Sequence, residues 1–169
     1  MMVCNQDPPP ILVLQFRTED AVKDQPILTG MRPNLNLATI CERYILEQDG
    51  ALTLFRIIDR FTVNGITEEM PLATIGFNLI VRFSAGEFRG PMDMRIRILP
   101  PTPVDVQELR IPVVFEAPEE RAAQMVGQIN VLAKEPGLFW IVVKLGEEEY
   151  TRIPFRIVYQ RQPTIQTGT

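Results

Sequence analysis

The sequence predicts an all-β protein: an antiparallel β-sandwich of about eight strands behind an N-terminal arm. Three observations carry this. Apolar and polar residues alternate with period two in run after run, as half-buried strands require. Turn signals separate the runs at fairly even spacing. No long stretch has the helical period. Prolines at run ends and within one run point to edges and corners, which favours an open sandwich over a closed barrel.

Residues 1–33 read as the arm. Pro8, Pro9 and Pro10 form an extended spacer without amide donors. Residues 11–16 (ILVLQF) are an apolar run of strand length. The polar stretch up to Pro33, broken by Pro26 and Gly30, reads as a loop. An apolar run between two such segments should add to a sheet, of its own chain or of a neighbour.

Residues 34–159 read as the sandwich domain and 160–169 as a loose tail. The domain opens with two strands over 34–63, folded back at Gln48, Asp49 and Gly50. A three-residue hairpin loop often ends at positive φ, which glycine adopts without steric cost. This loop sets Leu46 opposite Leu52, Glu42 opposite Arg56, Cys41 opposite Ile57 and Ile40 opposite Ile58. A shorter Asp49-Gly50 loop would oppose Arg43 and Arg56, and like charges across a ladder are unfavourable.

Further strands follow. Phe77, Leu79, Val81 and Phe83 share one face of the next run, and Met94, Ile96 and Ile98 share a face of the one after. The run 104–115 carries Pro112, which marks an edge strand or a bulge. Residues 117–124 (APEERAAQ) could form one helical turn, and 126–133 form another strand. Pro136-Gly137 opens the closing hairpin, 138–145 and 150–159, which turns at Gly146-Glu147.

Two pieces of the chain carry a resemblance. One is Ala38-Thr39-Ile40-Cys41-Glu42 leading into the stretch from Asp49 to Asp59; the other is Pro136-Gly137-Leu138-Phe139 with Gly146-Glu147. Together they resemble a family of small bacterial proteins known only as a domain of unknown function, over roughly residues 31–158. The closing hairpin also resembles the last two strands of immunoglobulin-like and C2-like sandwiches. The resemblance implies a fold of that kind and brings no catalytic residues with it.

Composition excludes several chemistries. The chain has no histidine, so Ser-His-Asp and Cys-His triads and histidine-bearing zinc sites are ruled out. Two distant cysteines, Cys4 and Cys41, make neither a four-thiolate site nor a disulfide framework. A mid-strand cysteine such as Cys41 is usually a small core residue. Neither a phosphate loop nor a dinucleotide fingerprint occurs. A net charge of −4 argues against a nucleic-acid partner. No stretch is apolar enough to span a bilayer, and no signal-peptide pattern opens the chain, so the expected setting is the cytoplasm. Glu68-Glu69, the group Glu116, Glu119 and Glu120, and the run Glu147-Glu148-Glu149 read as solvated turns rather than calcium loops, which need spaced aspartates.

The remaining signal is surplus apolar surface. The first hairpin carries Leu37, Cys41, Ile45, Phe55, Ile57 and Phe61 on one face. Its other face carries Ile40, Tyr44, Leu46, Leu52, Leu54 and Ile58. A sheet packed on one side only should not look like this. The expected function is therefore non-enzymatic: an assembly module binding a protein partner or a second copy, without cofactor or metal. The expected contact residues are Ile11, Leu12, Val13, Leu14 and Phe16 of the arm, with Tyr44, Leu46, Leu52 and Leu54 of the hairpin. The other class is a small-ligand or metal-binding sandwich, with or without enzymatic activity, using carboxylates and arginines at one end.

Overall fold

The computed structural model describes residues 32–102, 104, 106–116 and 122–162. The arm's run 11–16 and most of the tail lie outside these residues. The described residues form nine strands and no helix. β1 (Asn34–Leu46), β2 (Leu52–Ile57), β4 (Ala73–Ser84) and β7 (Ala122–Ala133) make a four-stranded sheet in the order β2-β1-β4-β7. β3 (Arg60–Gly65), β5 (Gly90–Leu99), β6 (Gln107–Phe115), β8 (Gly137–Leu145) and β9 (Glu148–Arg161) make a five-stranded sheet in the order β3-β9-β8-β5-β6.

One core joins the sheets. The inward residues of β4 (Phe77, Leu79, Val81, Phe83) meet those of β5 (Met94, Ile96, Ile98), β8 (Phe139, Ile141, Val143) and β9 (Phe155, Ile157). The predicted alternation chose these faces correctly. Phe155 packs on Phe61, Phe77 and Phe139, with ring centroids 5.7, 5.4 and 5.2 Å away.

The first hairpin has the predicted register, with Cys41 opposite Ile57 and Leu46 opposite Leu52. Gly50 stands at φ +86°, and Glu47 N donates to Ala51 O over 2.8 Å. Arg56 donates to Glu42 across the pair at 2.9 Å. Pro112 lies on β6, an outer strand, where a missing N–H costs the ladder nothing. Pro154 is also accommodated: β3 joins β9 only from Arg156 onward, so β9 has a single neighbour at Pro154.

The structure corrects the sequence reading in four places. The stretch 51–63 is two strands, not one. Ile58 N still donates to Ile40 O in the first sheet, while Asp59 O already accepts from Arg156 N in the second. The chain changes sheets between these residues, which raises the strand number from eight to nine. Phe61 therefore leaves the hairpin and packs in the core against Phe77. The sheets are not wholly antiparallel, because β3 runs parallel to β9. Finally, residues 122–124 belong to β7 rather than to a helical turn, and 117–121 lie outside the described residues.

Candidate functional site

The site is built from the far half of the first hairpin. β1 crosses β4 only as far as Cys41, which lies opposite Asn78. From Glu42 onward β1 has β2 alone as a neighbour, so the hairpin projects past the sheet. Alternation then leaves apolar side chains on both faces with little to cover them.

Tyr44 lies opposite Leu54 and Leu46 opposite Leu52, so the four expected hairpin residues do come together on one face. That face continues the core side of the sheet, beyond Ile40. Tyr44, Leu52 and Leu54 are half-buried there, and Leu46 is 47% exposed. Ile45, Phe55 and Ile57 lie on the other face, 47%, 40% and 67% exposed. These three were on the face read from the sequence but not among the expected contact residues, and with Leu46 they are the exposed large apolar groups of the hairpin. The five arm residues Ile11, Leu12, Val13, Leu14 and Phe16 lie outside the described residues.

Among the described residues β2 is the outer strand of its sheet, and one row of its backbone N–H and C=O groups has no ladder partner there. Its only charge is Arg56, turned back to Glu42. Arg56 stands at φ +56°, a conformation that a non-glycine residue rarely adopts, and it kinks the strand there.

Cys41 is fully buried beside this surface. Its thiol donates to Arg43 O at 3.2 Å, and burial pushes its pKa up, away from the thiolate a nucleophile needs. Among the described residues no three His, Cys, Asp or Glu side chains group as a metal site. The carboxylates of the outer face of the second sheet pair with arginines: Glu147 with Arg95 at 2.7 Å, Glu108 with Arg110 at 2.7 Å, and Glu149 with Arg152. The Arg110 hydrogen bond holds Glu108 below the usual carboxylate range, and the Arg152 hydrogen bond does the same for Glu149.

A cleft of about 370 Å³ opens at one end of the molecule, between Ile98 and Phe139 below and Val104 and Leu132 at the rim. Glu135 closes one side by accepting from Thr102 N and Oγ1 at 2.9 and 3.1 Å.

Residues 36–158 match the model of a family of unknown function (DUF6941), and the chain belongs to that family. No curated protein matches it. Similar solved structures include two of a beta-glucosidase from Listeria innocua, one of them in complex with glucose. In each the identity is 9% and the TM-score 0.39, over 62% of this chain and 15% of the other. A likeness at that level carries no argument about fold or activity. No described helix is long and apolar enough to cross a membrane.

Proposed function

We propose that this member of a family of unknown function is a non-enzymatic assembly module. It is built on an immunoglobulin-like or C2-like sandwich, and it oligomerises or docks through its arm and the apolar faces of its projecting hairpin. The observation that supports this is the exposure of Ile45, Leu46, Phe55 and Ile57 on one hairpin whose outer strand has β1 as its one ladder partner among the described residues. Ile45, Phe55 and Ile57 share one face of that hairpin, and exposed apolar groups gathered in this way mark interaction sites. Pairing of the outer-face carboxylates with arginines supports a structural rather than a catalytic use of those charges.

The test is mass in solution by light scattering, on the full chain and on a Phe55→Glu, Ile57→Glu variant. The expected result is a discrete multimer that the double variant reduces to a folded monomer. A full chain that stays monomeric at every concentration, with no change on substitution, overturns the reading. The second reading, a small-ligand protein, is favoured by the cleft over Ile98 and Phe139. Under that reading a Leu132→Trp variant would lose ligand binding and keep its mass.

A further inference from the structure

We propose that Arg60 and Arg156 form a binding site for the phosphoryl group of a small organic phosphate, on the outer face of the five-stranded sheet. This goes beyond the assembly reading and is independent of it, because the projecting hairpin belongs to the other sheet.

The first observation is an opposed pair of like charges. β3 begins at Arg60, directly after the chain changes sheets, and Arg60 lies opposite Arg156 of β9. The next pair, Phe61 and Ile157, packs in the core. Arg60 and Arg156 therefore both point outward, with their strands about 4.8 Å apart. Like charges directly opposite each other destabilise a ladder. The same sheet shows how such a pair is relieved. Arg95 lies opposite Arg110, and each has a glutamate, Glu147 and Glu108 respectively, at 2.7 Å. Arg60 and Arg156 are exposed, and among the described residues neither guanidinium has a hydrogen bond or an ion pair. Each keeps its fork of N–H donors for another acceptor.

The second observation is shape. β3 joins β9 only from Arg156 onward, which leaves a step in the sheet beside Pro154. A hollow of about 170 Å³ fills that step, lined by Asp59, Arg60, Leu138, Pro154, Phe155 and Arg156. It has room for an oxyanion and a few atoms beyond it, and is smaller than the roughly 300–1,000 Å³ of sites that enclose a drug-sized ligand. Leu138 lies opposite Arg156 and Trp140 opposite Pro154 on the same outer face, so an apolar strip leads away from the guanidiniums. The body of the ligand would rest there. The head group follows from the arginines. Two guanidiniums side by side can each take an edge of a tetrahedral anion, whereas the two oxygens of a carboxylate match one fork. A phosphate monoester also carries about −1.5 to −2 charges at pH 7, enough to answer both arginines. Asp59 lines the hollow without an ion pair to either arginine among the described residues, and its charge opposes an anion.

The experiment is titration of the full chain with phenyl phosphate in phosphate-free buffer, read by Trp140 fluorescence and by melting temperature. Trp140 is the one tryptophan and borders the site. The expected result is a saturable fluorescence change and a rise in melting temperature. Binding should weaken about tenfold in Arg60→Gln or Arg156→Gln, and about tenfold when benzoate replaces phenyl phosphate. It should persist in Arg82→Gln, an arginine of the other sheet, and tighten in Asp59→Asn. Inorganic phosphate should bind at the same two arginines, but more weakly, for want of the apolar strip. Without ligand the two glutamine variants should melt no lower than the native chain, since each removes an opposed charge. No saturable response by either readout overturns the proposal, as does a response that both glutamine variants retain in full. Benzoate binding as tightly as phenyl phosphate rejects the phosphoryl assignment. Glutamine variants that melt well below the native chain make the pair structural and overturn the site.

Discussion

Single residues fix the turns of this chain, and they differ in how much each resists change. Gly137 opens β8 at φ +147°, and a Cβ built there would lie 2.5 Å from Pro101 Cγ. Gly50 stands at φ +86° with nothing within 4 Å of its Cβ position. Substituting alanine at Gly50 therefore meets backbone strain alone, about 1 kcal/mol. At Gly137 strain combines with a collision against a proline ring that cannot swing aside, so Gly137→Ala should cost about 2–4 kcal/mol. Urea midpoints of the two variants test this. Equal midpoints would mean that the Pro101 loop moves freely. The Pro136-Gly137 pair was legible in the sequence as a turn, but its contact with Pro101 was not. Gly137 and Pro101 are brought together only by the fold.

At the scale of elements, the outer face of the second sheet is a ladder of arginines and carboxylates. Glu108 of β6 sits with Arg110 at 2.7 Å and Arg97 at 3.6 Å. Its pKa is lowered first by the Arg110 hydrogen bond. A carboxyl whose folded pKa is depressed adds stability above its unfolded value of about 4.3, and that stability is lost as pH falls through the folded value. Glu108→Gln should therefore lower the melting temperature slightly at pH 7, and the gap to the native chain should close as pH falls below 4. A gap that widens on acidification contradicts the pairing. The pair lies on the solvent face of an outer strand, where water screens it, so the effect is small. The hairpin shows where sequence reading succeeds and where it stops. Loop length and charge opposition fixed its register, because both are local. The sheet change at Ile58 and Asp59 was hidden, because Phe61 and Val63 resume the apolar face of Phe55 and Ile57 with only Asp59 between them. Only the competing ladders of β1 and β9 decide where the strand divides. The surplus of apolar residues was legible as a pattern. Which of them stay bare depended on how far β1 outruns β4, and nothing in its own sequence states that.

For the whole molecule, the decisive feature is that two sheets share one core and are tied through Phe155. It is 1% exposed and touches rings from β3, β4 and β8. Phe155→Ala removes a buried ring and leaves a cavity between the sheets, at a cost of about 3–5 kcal/mol. A domain of this size is stable by about 5–15 kcal/mol, so the variant should approach the limit of folding at 37 °C. Ile57→Ala should change monomer stability by less than about 0.5 kcal/mol, since Ile57 is 67% exposed. The cooperative link between the sheets can be tested on the native chain as well. Trp140 is the one tryptophan and lies in β8 of the five-stranded sheet, whereas far-ultraviolet circular dichroism reports both sheets. A shared core requires the two signals to fall together through a denaturant transition. If Trp140 fluorescence changed at a denaturant concentration where half of the β signal persisted, the sheets would be separate folding units. Phe155 would then lose its role as their tie.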